Sequence, residues 1–214
     1  KNSMVFPEFY GDYYKNCATY LWNDIFKRKL ETKQGVPLNK HLAKHGIHTY
    51  SKFEKHIREV EDILWHERFP IYNQWKEDTW KLYLEQGYLE SLFGFRFVGS
   101  MEKNKALNYQ IQNTAFHCLL WSYNRMNKYL KDNKYRTKLI LETHDNFVAD
   151  IPEEEFDDIV KIAKKMFIDD LLEEFPWIIV PIGIEIDVTD VDESWAYKRH
   201  LEEYKKYPKN TKER

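Results

Sequence analysis

Apolar side chains recur along this chain with two periods, and the longer one dominates. Phe6, Phe9, Tyr10, Tyr13, Tyr14, Cys17, Tyr20, Leu21 and Phe26 fall mostly three or four apart, the spacing that stacks side chains on one helical face. Gly11 divides this run into two helical pieces, and Pro7 removes a backbone donor near its start. Residues 31–50 read as a polar connector followed by a short helix. Phe53, Ile57, Val60, Ile63 and Leu64, then Trp75, Trp80, Tyr83 and Leu84, predict two helices within 50–86. They part at Phe69-Pro70, because a residue before proline is biased out of the helical region. Leu107, Ile111, Ala115, Leu119, Met126 and Leu130 predict the strongest helix, over 102–131. A further helix runs from Glu153 to Leu172, with acidic residues at its positive N-terminal end.

Three stretches carry strand character. Tyr88–Phe93 runs into a turn at Gly94. Leu139–Pro152 reads as a β-hairpin with a polar tip at His144-Asp145-Asn146, since each arm is short, apolar and bounded by turn or breaker residues. Trp177–Ile186 reads as a buried strand. Helices and short antiparallel strands together give an α+β fold, a small sheet backed by the 102–131 and 153–172 helices. The tail 204–214 is basic and lacks apolar periodicity, so it is expected to be mobile.

Composition narrows this picture. With 43% hydrophobic and 32% charged residues the chain is an ordinary globular sequence rather than a disordered one. A 16% aromatic share supports either an aromatic core or surfaces on which flat ligands stack. The formal net charge of -2 excludes polyanion binding by bulk charge and leaves room only for a local cationic site. Cys17 and Cys118 stand far apart without metal-ligand spacing, which predicts buried thiols in a reducing compartment. No apolar run reaches the roughly 18–20 residues that cross a bilayer, so a cytoplasmic protein without a membrane partner is expected, in the host cytoplasm if phage-encoded. The chain opens on Lys1 in what reads as the middle of an element, which suggests a fragment.

Two groups of side chains are candidates for chemistry. His41, His45 and His48 share a helical face, but no cysteine or carboxylate stands at ligand spacing, so exposed histidines are favoured over a zinc site. The hairpin tip is the stronger candidate, because a rigid sheet there holds the Asp145 carboxylate out toward a metal ion or substrate. Taken alone, an Asp in a tight turn is more simply a satisfied turn residue.

Four stretches in one order alter that balance: Val5-Phe6-Pro7-Glu8-Phe9-Tyr10-Gly11; Gly87 to Arg96; Asn108 to Ala115; and Thr143-His144-Asp145-Asn146. Together they resemble the C-terminal part of family A DNA polymerases, the bacterial polymerase I type, with a phage-like flavour in Phe-x-x-Phe-Tyr-Gly. Val180-Pro181-Ile182 and Ser194-Trp195 resemble that family's closing strand and terminal Trp. The resemblance covers nearly all of this chain and only the last part of such an enzyme. It implies the end of a helical fingers subdomain over 1–85, a palm subdomain over 86–203 and the basic tail beyond.

The resemblance also implies roles. Asp145 matches one of two metal-binding aspartates and His144 lies beside the primer terminus, so that two Mg²⁺ ions would be shared with an upstream Asp outside this chain. Phe6 and Tyr10 match the aromatics that pack on the incoming dNTP, and Lys1 the triphosphate-binding lysine, although it stands five residues before Phe6 where the family has four. Asn108 and Gln112 match minor-groove readers, a task that suits amide donors because minor-groove acceptors occupy similar places in every base pair. Arg96 matches a phosphate-contacting arginine. Phe95 replaces a second arginine, and Asn146 stands where many relatives have Glu. The implied activity is template-directed nucleotidyl transfer on primer-template DNA, needing an upstream polymerase segment in the same chain or a separate polypeptide. Phe95 and Asn146 keep open a non-catalytic nucleic-acid-binding or assembly module. An unrelated phosphoesterase would need a second carboxylate cluster, for which Glu142 and Asp150 are poor candidates.

Overall fold

The computed structural model describes residues 3–206, so Lys1 and residues 207–214 of the basic tail lie outside the described residues. The chain forms two compact units, residues 1–115 and 116–214. Its α+β character agrees with the reading of the sequence.

In the first unit the helices are α1 (Val5–Phe9), α2 (Tyr14–Lys27), α3 (Leu38–Lys44), α4 (Tyr50–Ile63) and α5 (Pro70–Gln86). Gly11 separates α1 from α2 at a left-handed φ of 89°, and a Cβ there would meet Asn104 Cα and a Leu107 methyl at 3.2 Å. Only glycine suits both demands. Cys17, Ala18 and Ile25 of α2 pack with Leu42 of α3 and with Phe53 and Ile57 of α4 as one core. Between α4 and α5 lies a five-residue π-helical turn, Leu64–Arg68, which buries Trp65. Pro70 then opens α5 at its first turn, where its missing N–H leaves no helical bond unmade. Gly87 ends α5 at φ 77°.

The predicted strand after Gly87 is half of a hairpin that the sequence did not disclose. β1 (Tyr88–Glu90) pairs antiparallel with β2 (Arg96–Val98), Glu90 opposite Arg96. Leu89 is fully buried with Tyr83 and Ala106. Helix α6 (Lys103–Asp132) follows, thirty residues long, its first part in the first unit and the rest in the second.

The second unit is built on the hairpin β3 (Lys138–Thr143) and β4 (Asn146–Asp150). Helix α7 (Phe156–Lys164), a π-helical turn at Lys165–Asp169 and α8 (Asp170–Glu174) make up the predicted helix after Glu153, interrupted rather than regular. Met126 and Leu130 of α6 pack with Ile159, Ala163, Met166 and Phe167, and Leu139 and Phe147 of the hairpin cover this core. Glu155 fixes the entry to β3 by accepting from the Arg136 and Thr137 amides at 2.8 and 2.9 Å and from the Thr137 hydroxyl at 2.6 Å.

Two expectations are corrected. Trp177–Ile186 begins in a turn, bends at Val180 and has no strand pairing; β5 (Asp187–Val188) after it pairs with β6 (Arg199–His200), before α9 (Leu201–Lys206). Pro181 has no amide to give a ladder, and Ile179 is 90% exposed, although Ile184 does reach the core. Cys118 is half-buried rather than buried, whereas Cys17 is fully buried. Among the described residues no helix is long and apolar enough to cross a membrane.

Asp170, buried at the head of α8, accepts from Arg125 Nε at 3.1 Å and from Lys165 Nζ. Burial works to raise its carboxyl, but the hydrogen bonds and charges of Lys165 and Arg125 outweigh this and hold it below the ordinary aspartate range. A depressed folded value gives stability that is present above the ordinary aspartate pKa and lost as pH falls through the folded one. Asp170→Asn is expected to cost about 1.5–3 kcal/mol near neutrality, the worth of hydrogen bonds to charged groups, and to flatten the acid-side decline. Urea unfolding at neutral and acid pH measures both.

Candidate functional site

The first unit holds the residues with aromatic and amide chemistry. Helix α1 is a single short turn of helix, and the groups around it hold it in place. Phe9 sits in a cage of rings, with centroids 5.2 Å from Trp65, 5.2 Å from Phe69 and 5.0 Å from Tyr72. The Tyr72 hydroxyl donates to the Phe9 carbonyl at 2.8 Å. Burial, then the nearby Tyr10, push the Tyr72 hydroxyl up to about 12, so it stays a donor at neutral pH. Phe6 and Tyr10 lie on one side of α1 with ring centroids 6.4 Å apart, Phe6 being 42% exposed.

Helix α6 contributes the amides. Gln112 Nε2 donates to the Tyr10 hydroxyl at 3.0 Å, joining two residues that stand 102 positions apart. Asn108, one helical turn earlier, has its Oδ1 buried without a hydrogen-bond partner. An amide oxygen in that state has acceptor capacity to offer a ligand, while its NH₂ remains a donor. Arg96 is exposed on β2, its Nε 2.8 Å from Glu90 Oε2 and its guanidinium 5.0 Å from the centre of the Tyr88 ring. The side chain matched to a phosphate contact therefore already has an acidic partner. Phe95 beside it is 50% exposed and packs edge-on against Phe97.

The second unit holds the carboxylate. Thr143 pairs with Asn146, so His144 and Asp145 are the two loop residues of the hairpin. His144 takes a left-handed φ of 56°. Positive φ at the first loop residue suits the twist of a two-residue hairpin but favours glycine, so an imidazole here is held at a conformational cost. Asp145 is exposed at the tip, with Asn146 Nδ2 3.5 Å from its Oδ1. Register slips between Leu139 and Leu141, leaving Ile140 unpaired and 61% exposed. Such a bulge bends the strand that carries the tip. One exposed carboxylate, whose recorded hydrogen bond is the long one from Asn146, suits a single ligand position on Mg²⁺, an ion that takes one or two carboxylates plus substrate phosphates.

Among the described residues no three His, Cys, Asp or Glu side chains gather as a metal cluster. His41 and His45 rings lie 4.5 Å apart, tilted by 43°, and, like His48, these residues are exposed. Glu142 pairs across the hairpin with Phe147, and Asp150 with Lys138. The sequence reading passed over Glu8, although it lies inside one of the quoted stretches. It is fully buried, and Trp65 Nε1 donates to its Oε2 at 3.1 Å. A lone carboxylate among Phe6, Phe9 and Tyr10 was the available signal.

Comparison with known proteins bears on this arrangement. DNA polymerase I of Chloroflexus aurantiacus is 26% identical over 131 residues, which is 56% of this chain and 14% of that protein. The DNA polymerase of Bacillus phage SP01 is 28% identical over 110 residues, 46% of this chain and 12% of that protein. The matches thus span only 14% and 12% of these relatives' length. Among solved structures, the POL domain of Pol1 from M. smegmatis, in complex with DNA primer-template and dNTP, is similar with a TM-score of 0.57 at 16% identity. That likeness covers 78% of this chain and 26% of that one, and it is a likeness of fold. A family model described as DNA polymerase family A matches residues 38–196. Since that match takes in most of the chain, including α3 to α6 and the whole β3–β4 hairpin, the chain belongs to DNA polymerase family A.

Proposed function

We propose that this chain is the fingers and palm portion of a DNA-directed DNA polymerase, with residues 1–85 as the end of the fingers and 86–203 as the palm. It works with an upstream segment that carries a second metal-binding Asp. The observation that supports this best is the hairpin tip: in a chain of family A, the two loop residues of a rigid hairpin are His144 and the exposed Asp145. Asp145 would hold Mg²⁺, which when bound activates a primer 3′-hydroxyl and neutralises phosphate charge. His144 would contact the primer terminus. Phe6 and Tyr10 would stack on the dNTP, with the Gln112 hydrogen bond setting the tilt of the Tyr10 ring. Asn108 and Gln112 would offer amide groups to the minor groove of primer-template DNA, and Arg96 would meet backbone phosphate. Lys1, outside the described residues, would take the triphosphate.

A second reading, a nucleic-acid-binding or assembly module without catalysis, draws on two observations. Arg96 already pairs with Glu90, and the residue after Asp145 is an amide rather than a carboxylate. Primer extension and primer-template binding by the intact protein separate the readings.

Asp145→Ala is expected to lower extension by at least about 100-fold, the scale for losing one group that stabilises transition-state charge, with binding retained. Binding without extension by the wild-type intact protein would favour the module instead. The 214 residues alone are expected to show no Mg²⁺-dependent extension, because one hairpin carboxylate cannot hold two ions; extension by them would refute the need for an upstream Asp. His144→Gly is expected to part stability from activity. Relief of the positive φ should leave stability unchanged or raise it by about 1 kcal/mol, while loss of the imidazole lowers extension. Thermal unfolding and single-nucleotide incorporation measure the two effects.

A further inference from the structure

Glu8 lies on α1 midway between Phe6 and Tyr10, and its carboxyl points into the first unit rather than to solvent. Each element packed against it presents a polar or charged group. From α2 comes the Cys17 thiol, from α4 the Glu61 carboxylate, from the π-helical turn the Trp65 indole, and from α5 the Lys76 ammonium. Glu8 Oε2 accepts from the indole, while Oε1 is buried with no hydrogen-bond partner. Glu61 Oε1 is engaged by the Tyr14 amide at 2.8 Å. Lys76, only 7% exposed, sits over the Trp65 ring with Nζ 3.3 Å from its centroid. Asp12 lies near Cys17, and Lys103 and Glu77 near Lys76.

A carboxyl enclosed in this way is costly as an anion. Burial, then the charge of Glu61, push the Glu8 carboxyl up from 4.5 to about 7, against the lowering effect of the indole N–H. Burial likewise pushes Lys76 below its ordinary value, opposed by Glu8. The sign follows from the raised folded value. The stability that Glu8 contributes is fully present below its unfolded value and is lost as pH rises through the folded one.

We propose that Glu8 is a proton-linked positioning residue: protonated, it stays buried beside Glu61 and keeps α1 seated, and ionised, it repels Glu61 within the pocket and loosens α1. Because Phe6 lies on this short helix and Tyr10 caps its C-terminal end, their attitude follows the charge on a side chain that touches no substrate. That last consequence rests on the polymerase reading above; the seating of α1 does not.

The test uses the intact protein labelled with fluorotryptophan, with the Trp65 resonance identified among seven tryptophans by Trp65→Phe. The Trp65 signal is expected to titrate with a midpoint near 7, and hydrogen-exchange protection of the α1 amides, corrected for intrinsic rates, to fall across the same range. In Glu8→Gln both dependences vanish. Glu61→Gln keeps Glu8 but removes the like charge, so the midpoint moves down. A flat Trp65 signal, a titration unchanged in Glu8→Gln, or a midpoint unmoved in Glu61→Gln overturns the proposal, and the last holds even if Glu8→Gln fails to fold. For nucleotide contact, KM for dNTP is expected to rise over that pH range in the wild type and not in Glu8→Gln. A pH-independent wild-type KM refutes positioning, whereas absence of any extension refutes the polymerase reading and leaves the Trp65 titration standing.

Discussion

A helix of five residues has no stability of its own, since nucleation costs more than one turn of hydrogen bonds returns. The position of α1 is therefore set by what encloses it, and the enclosure is aromatic. Phe9 is gripped by Trp65 of the π-helical turn, Tyr72 of α5 and Phe69, which caps the junction between the two. Trp65 and Phe69 stand four residues apart, so the π-helical turn and its cap present both rings on the side that meets Phe9. Pro70 ends that irregularity and starts α5 cleanly. The attitude of Phe6 and Tyr10 thus depends on packing contributed from Trp65, Phe69 and Tyr72, far along the chain.

The hairpin of the second unit solves a different problem. A two-residue loop fixes the backbone that carries a carboxylate while leaving the side chain exposed at the tip. Its backbone is constrained by the Thr143–Asn146 pair, while its short reach keeps Asp145 clear of internal cations. The left-handed φ at His144 is the counterpart of that constraint. Glycine would relieve it and remove the one imidazole at the tip. The core beneath is Phe147 stacked on Phe167 at 5.0 Å, so the arm that carries the tip is anchored by ring packing as α1 is.

Much of this could be read from residue patterns. Helical periodicity located every long helix, Pro70 and Gly87 marked their ends, and breaker chemistry around Leu139–Pro152 found the hairpin. The family was legible from four short stretches in order. What escaped was decided by tertiary context. Trp177–Ile186 has the composition of a buried strand, but composition cannot supply a pairing neighbour. β2 escaped because Arg96-Phe97-Val98 is too short to show a period, and with it went the Glu90–Arg96 pair. Glu8 escaped because residue type predicts exposure for a carboxylate, and only the packing of four other elements reverses that.

The Glu90–Arg96 pair bears on how a chain of net charge -2 could meet a polyanion. Several of its cations are already engaged: Arg96 with Glu90, Lys103 with Glu77 at 2.6 Å, and Lys198 with Asp187 at 2.7 Å. Both partners are substantially exposed in each pair, and such pairs are worth about 0–1 kcal/mol. A phosphate offering a charge-assisted, bidentate contact to Arg96 therefore competes against little, and the displaced Glu90 returns to water rather than to a buried state. The Glu90 contact holds the guanidinium near the Tyr88 ring, its carbon 5.0 Å from the ring centre. Asp170 shows the contrast: its carboxylate is buried between Arg125 and Lys165, and its exchange for any ligand would strand a charge in the core. The difference in burial between Glu90 and Asp170 separates an arginine available to a ligand from two cations committed to the fold.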